Sequence, residues 1–289
     1  VNIGWVGVGK MGLPMASHLL AAGHAVTACD LLPALAEAVA ARGARTAPDP
    51  AAAAREADVV FSSIPDDAAL RKVAHGILSG APRGAIYVDT STVSAAASAE
   101  VAAAAAAKGV RYLRVTVSGN NTMAQAKALT VMASGEREVY EKCRPLLALF
   151  GPTQYYVGEA EQARTLKLAV NLMVYATIAG LAEALALGRR GGVDWEQMLD
   201  VMAASAIGSP LLKAKSGALK ARDFTATFTC LQARKDLGLI ADAAAAAGVP
   251  APVAEIAARL IEDCIAQGGG GEDYAAMIKS VERAAKGNW

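Results

Sequence analysis

Only three histidines occur in the 289 residues, His18, His24 and His75, and all fall within the first 75 positions. His18 and His24 belong to the first helical stretch and its end, so acid/base chemistry run by a histidine is disfavoured. Cysteine is also sparse: Cys29, Cys143, Cys230 and Cys264 are scattered, with no C-x-x-C or metal-ligand spacing. That pattern excludes a disulfide framework, predicts no metal, and favours free buried thiols in a reducing compartment, the cytoplasm. Neither sign of charge dominates, with 28 Lys and Arg against 27 Asp and Glu, a net charge of +1. No Lys/Arg run interleaved with aromatics appears, so no nucleic-acid partner is expected.

The start lacks the basic region and cleavage pattern of a signal peptide; Val1 leads directly into a strand. Without an initiator Met, a few leading residues are expected to be missing. Long hydrophobic runs are missing too, with one exception, Leu168 to Leu187. Asn171, Tyr175, Thr177 and Glu183 lie inside it, no second span accompanies it, and an intramembrane Glu would need a partner in lipid. No membrane partner is expected. What remains is ample for folding: 54% hydrophobic and 19% charged residues over a length that favours two domains.

The first half alternates strands and helices. Asn2 to Val6 is an apolar strand, followed at once by Gly7-Val8-Gly9-Lys10-Met11-Gly12 and a helical stretch to Gly23. This is G-x-G-x-x-G between a strand and a helix, where glycines let a backbone approach a diphosphate and the helix amides attract it. The next strand, Ala25 to Cys29, ends in Asp30, eighteen residues after Gly12. A carboxylate there accepts hydrogen bonds from a ribose hydroxyl and repels a 2′-phosphate, which favours NAD over NADP. Asp30 could alternatively cap the helix that follows.

Further strands are predicted at Asp58 to Ser62, Ala85 to Val88, Arg111 to Val117, Leu129 to Ala133 and Tyr155 to Val157. Such alternation specifies a doubly wound, mostly parallel sheet: an α/β Rossmann domain over residues 1–160. Pro65 follows one strand in a loop expected to border the nicotinamide. Asp89-Thr90-Ser91-Thr92-Val93 follows another, with more hydroxyls than a helix cap needs, so Ser91 and Thr92 become candidates for substrate or cofactor contact. Ser118 and Gly119 form a turn whose amides suit a small carboxylate, or an ordinary polar turn.

From Gln162 to Gly188 the chain reads as one helix about 40 Å long at the usual rise per residue. It is apolar on nearly every side from Leu166, as in a helix buried among others or in a subunit interface. Lys167 and Asn171 interrupt that surface four residues apart, on one face. An amine among apolar neighbours loses solvation of its charged form, which favours proton exchange. A lysine reaching out to solvent is the plainer alternative. Beyond Gly188, helices are predicted near Trp195 to Ala204, Gln232 to Ala247, Val253 to Gln267 and Asp273 to Ala285. Residues 161–289 are therefore expected to be an all-α domain, joined to the first by the long helix. Lys235-Asp236 reads on its own as a surface ion pair.

The motifs together resemble the β-hydroxyacid dehydrogenases of the 3-hydroxyisobutyrate dehydrogenase type, over essentially the whole length. The pieces are GVGKMGLPMASHLLAAGH at the start, DTSTV at 89–93, VSG at 117–119, LTVMASG at 129–135, KLAVN at 167–171 and KDLGLI at 235–240. The resemblance implies an NAD-dependent oxidoreductase acting on a small anionic 3-hydroxy acid or its aldehyde, assembled as a homodimer or homotetramer. It implies Lys167 as general acid/base with Asn171 orienting it or the substrate. Ser91, Ser118, Gly119 and Asn120 would contact the substrate, with Lys235 close to both substrate and nicotinamide. The cofactor would lie on Gly7, Gly9, Lys10, Met11, Gly12, Asp30, Pro65 and Thr92. Departures from the family pattern are Arg114, Thr116 and Asn120 in the VSG segment, and Glu161 and Ala163 before Lys167. Two other readings stay open: an NADPH-dependent imine reductase, against which Lys167 and Asp30 both count, and a non-catalytic dinucleotide-binding module.

Overall fold

A computed structural model describes residues 1–286. The elements run β1 (Asn2–Val6), α1 (Gly12–Ala21), β2 (Ala25–Cys29), α2 (Pro33–Ala40), β3 (Arg45–Thr46), α3 (Pro50–Ala54), β4 (Val59–Ser62), α4 (Asp67–Gly80) and β5 (Ile86–Asp89). There follow α5 (Ala95–Lys108), β6 (Arg111–Ser118), α6 (Asn121–Gln125), β7 (Thr130–Ser134), α7 (Arg137–Leu147) and β8 (Thr153–Tyr156). The rest is helical: α8 (Gln162–Arg190), α9 (Trp195–Ala204), α10 (Pro210–Lys220), α11 (Cys230–Ala247), α12 (Pro252–Ala266), a 3₁₀ turn at Tyr274–Met277 and α13 (Ile278–Ala284).

One sheet holds all eight strands in the order β3-β2-β1-β4-β5-β6-β7-β8. Every pairing is parallel except β6 with β7. The chain winds outward from β1 to β3, then crosses back to β4 on the other side of β1. The carboxyl ends of β1 and β4 therefore frame the point where a doubly wound sheet opens a crevice. Strands buried on both faces explain the continuous apolar runs: Val59–Ser62 and Ile86–Asp89 are buried throughout. One face packs around Trp5, Phe61 and Phe150, the first two stacked at 5.0 Å between ring centroids. Tyr87, Leu70, Ile77 and Tyr112 belong to the cluster on the other.

Two compact units result, residues 1–167 and residues from Leu168 onward. The second has its own core of Tyr175, Ile178, Leu185, Leu199, Leu237, Ile261 and Met277. Helix α8 begins in the first unit and continues into the second, 29 residues in all. It is long and apolar enough to span a bilayer, with 44% of its most apolar window buried within the protein. Within one chain its apolar surface is not buried all round: Met173 and Leu187 are 65% and 77% exposed.

The sequence reading also missed α10 and β3. Helix α10 carried its signal, since Ser209 caps it through the Leu212 amide and Pro210 occupies its first position. β3 is only two residues long and has no periodicity to read.

Candidate active site

The glycine turn follows β1 as expected. Trp5, buried beneath it, donates from Nε1 to the Gly7 carbonyl at 2.9 Å and fixes the turn from below. At Gly12 a Cβ would stand 2.0 Å from the Gly7 carbonyl oxygen, so close packing of turn on helix demands glycine. Gly9 is different: a Cβ there would meet nothing within 4 Å. The protein's own packing does not require glycine at that position, which fits a group laid against the backbone. No side chain caps the start of α1, and its first turn holds no acidic residue. Leu13 N–H donates to the Gly9 carbonyl at 2.9 Å and Pro14 has no N–H, so the amides a diphosphate would draw on are those of the turn ahead of Leu13. Lys10 is exposed and Met11 half-buried beside them.

Asp30 is oriented by two backbone amides: Val8 N–H donates to Oδ2 at 2.8 Å and Leu32 N–H to Oδ1 at 2.9 Å. It does not cap α2, whose N-cap position is Leu32. Each carboxylate oxygen keeps acceptor capacity for a ribose hydroxyl. Residues around the turn therefore suit a dinucleotide bearing a free 2′-hydroxyl. Pro65 lies exposed in the loop after β4.

At the carboxyl end of β5 the DTST segment is tightly tied. Ser91 Oγ donates to Asp89 Oδ1 at 2.7 Å and accepts from Ile64 N–H at 3.0 Å; Thr90 Oγ1 donates to the Ser62 carbonyl at 2.7 Å. The Ser91 hydroxyl thus has both partners inside the protein, whereas Thr92 is partly exposed. Asp89 is fully buried and ion-paired with Arg164, on the first turn of α8, at 2.6 Å. Arg164 was not anticipated from sequence. Burial opposes its charge, yet Tyr112 and Asp89 outweigh that and hold its pKa above the ordinary arginine value. Burial pushes the Tyr112 hydroxyl up to about 12, despite the nearby Arg164.

Gly119 follows β6 with φ +137°, where a side chain would be strained and a Cβ would lie 2.6 Å from Leu129. Ser118 is partly exposed beside it. Asn120 is turned to local structure: its Oδ1 caps α6 by accepting from Met123 N–H at 3.0 Å. Two of the departures from the family pattern prove to be partners: Arg114 Nε donates to Glu161 Oε1 at 2.7 Å, so one unusual charge answers the other. Thr116 donates from its hydroxyl to the Ala163 carbonyl.

Lys167 lies partly exposed on the second turn of α8, one turn before the buried Asn171. Within the second unit, Asn171 Nδ2 donates to Asp236 Oδ2 at 2.7 Å, and Tyr175 donates its hydroxyl to the same oxygen at 3.2 Å. Asp236 is 1% exposed, not the surface residue its neighbour suggested. Lys235 Nζ sits 2.7 Å from Asp236 Oδ1 as an ion pair without hydrogen-bond alignment. Because a carboxylate only accepts, the Asn171 amide is fixed with its NH₂ toward Asp236, and Oδ1 is left as the acceptor it presents elsewhere.

Known proteins resemble the chain in both of its halves. Residues 2–158 match the NAD-binding domain of 6-phosphogluconate dehydrogenase, and residues 162–281 match the NAD-binding domain of NADP-dependent 3-hydroxyisobutyrate dehydrogenase. The chain is 35% identical to 2-(hydroxymethyl)glutarate dehydrogenase of Eubacterium barkeri, covering 98% of this chain and 95% of that one. It is 30% identical to the NAD-dependent L-serine dehydrogenase of Pseudomonas aeruginosa, over 96% and 97% of the two chains. The structure of Mycobacterium tuberculosis 3-hydroxyisobutyrate dehydrogenase with L-serine superposes with a TM-score of 0.88 at 28% identity, over 96% and 98% of the chains. The chain belongs to the β-hydroxyacid dehydrogenase family, of the 3-hydroxyisobutyrate dehydrogenase type, and is an NAD-dependent oxidoreductase acting on the CH–OH group of hydroxy acids.

Proposed function

We propose that the chain interconverts a short 3-hydroxy acid and its semialdehyde with Lys167 as general acid/base. One observation carries this reading: Lys167 shares a helix face with Asn171, whose amide is locked by the buried Asp236. NAD, when bound, supplies the hydride acceptor. The Lys167 amine takes the hydroxyl proton as the carbinol is oxidised, and its ammonium returns the proton in the reverse direction. Asn171 Oδ1, one turn on, accepts from that ammonium or from the substrate hydroxyl and keeps the donor aligned. The Ser118 and Gly119 amides and the Thr92 hydroxyl hold the anionic end, with Ser91 contributing through its backbone. Asp30 selects NAD over NADP by accepting from the ribose and repelling a 2′-phosphate.

Two of the similar proteins act, by name, on 2-(hydroxymethyl)glutarate and L-serine. Both compounds carry CH₂OH on the carbon that bears a carboxylate, and this is the substrate class proposed. The exposed apolar residues of α8, Met173 and Leu187, support assembly into a homodimer or homotetramer.

A panel of L-serine, 3-hydroxyisobutyrate and 2-(hydroxymethyl)glutarate, with lactate as a 2-hydroxy control, assayed with NAD and NADP side by side, tests this directly. NADH should form with at least one 3-hydroxy acid, at a higher kcat/KM with NAD than with NADP. Reduction of cyclic imines by NADPH without oxidation of any hydroxy acid would overturn the reading.

Asp236→Asn offers a second check. It loses the charge that holds the Asn171 amide, and a hydrogen bond to a charged group contributes about 1.5–3 kcal/mol, so kcat should fall about 10 to 100-fold. The KM for NAD should stay near wild type. An unchanged kcat would show that Asp236 does not orient Asn171 for catalysis.

A further inference from the structure

We propose that the buried Asp89–Arg164 pair is a positioning device: it clamps the loop that carries Ser91 and Thr92 to the helical turn that precedes Lys167, holding substrate-binding and proton-transfer groups in register. The inference rests on the role given to Lys167 above and extends it to residues that touch neither substrate nor cofactor.

The guanidinium of Arg164 reaches five acceptors on three segments, the weakest being the Asp89 carbonyl at 3.4 Å. It donates to Asp89 Oδ2 at 2.6 Å and the Ser91 carbonyl at 2.7 Å, to Ser98 Oγ on α5 at 3.2 Å, and to the Tyr112 hydroxyl on β6 at 3.0 Å. Neither charged side chain reaches solvent. Stability alone does not account for such a pair, because a buried ion pair is often no better than apolar side chains of the same volume. What the planar fork supplies is direction, since its donors are fixed relative to one another.

Both ends of the clamp are secured. On the loop side, Asp89 Oδ1 accepts from the hydroxyls of Ser62 and Ser91, and Asp67 accepts from the Ser94 amide at 2.8 Å. On the helix side, the Ala163 amide donates to Ser134 Oγ at 3.1 Å, Thr116 to the Ala163 carbonyl, and Arg114 holds Glu161. Lys167 stands three residues beyond Arg164, about 4.5 Å along a rigid helix axis. A shift of the first turn of α8 therefore reaches the amine undiminished. Asp89 also balances the guanidinium, leaving no net charge from the pair beside the proton-transfer group.

The test uses Arg164→Lys, the charge-free double variant Arg164→Met with Asp89→Asn, and Lys167→Ala, alone and combined with the double variant. The double variant avoids stranding a buried charge, so a folded protein is expected, and all assays run below its melting temperature. NAD affinity should fall far less than turnover, because the glycine turn and Asp30 lie elsewhere and only Thr92 of the expected cofactor contacts is on the released loop. Turnover should fall about 100-fold, the scale of a misplacement of about 1 Å at a reacting group. The decisive readout is coupling: in the Lys167→Ala background the same double variant should lower residual turnover less than about threefold, since its effect acts through a missing group. Arg164→Lys, which keeps charge but not the fork, should remain impaired.

A folded double variant with turnover near wild type, or an equal loss with and without Lys167, would overturn the clamp. Full activity of Lys167→Ala on its own would instead sink the acid/base role on which the clamp rests, so the two failures are separable.

Discussion

Replacing Lys167 by alanine is expected to lower kcat by about 10² to 10⁴-fold, the range of a positioned general acid/base, with NAD affinity unchanged. The elements that shape the nucleotide site, the turn after β1, the start of α1 and Asp30, are held by contacts of their own. The neighbours of Lys167 on α8 are secured by their own contacts, Arg164 to Asp89 before it and Asn171 to Asp236 after it. Removing the amine should leave the helix in place, so the loss should appear in turnover and not in folding. Steady-state kinetics together with NAD titration separates the two. Weakened NAD binding with kcat preserved would assign Lys167 to cofactor binding.

The second large effect separates two glycines of the same turn. Gly12→Ala drives a Cβ to 2.0 Å from the Gly7 carbonyl and 3.0 Å from the Trp5 indole nitrogen. Neither can yield, since each is fixed by the other through the Trp5–Gly7 hydrogen bond. Overpacking of this kind costs about 1–3 kcal/mol, and the upper end is expected here because the clash is with backbone. In a domain of this size that lowers Tm by about 6–12 °C. Gly9→Ala should leave Tm within about a degree or two, or raise it slightly, because the added methyl meets open space and stiffens the unfolded chain. NAD affinity should nevertheless fall about tenfold or more, equivalent to about 1.4 kcal/mol of lost approach between backbone and diphosphate. Thermal melts and NAD titrations of the two variants make the comparison; an equal fall in stability for both would remove the argument that Gly9 is kept for the ligand.

The nucleotide half was legible in the amino acids because its signals are local. A strand, a glycine turn, a helix and a carboxylate at the end of the next strand lie within the first thirty residues, and each has a physical meaning at its spacing. The long helix was legible as well, from its length and the lack of a breaker.

Polar pairs distant in sequence were not legible. Arg164 reads as an ordinary charge near a helix start, and its partner Asp89 lies 75 residues earlier, so only the folded chain shows both to be inaccessible. Asp236 was hidden by Lys235, which made a surface pair the natural reading, although the carboxylate is buried against Asn171 and Tyr175. Arg114 and Glu161 stood out singly as departures from the family pattern; their compensation appears only when β6 and the start of α8 come together. For Asn120 the plain signal was the informative one, an asparagine ahead of a short helix that it caps.

Chemical rescue of Lys167→Ala by small primary amines tests the proton-transfer role most directly. With a substrate identified from the hydroxy-acid panel and NAD saturating, added methylamine or ethylamine should restore turnover saturably, with a rate that follows the basicity of the amine. Wild-type turnover in the variant without any amine, or a folded, NAD-binding variant that no amine revives, would contradict it.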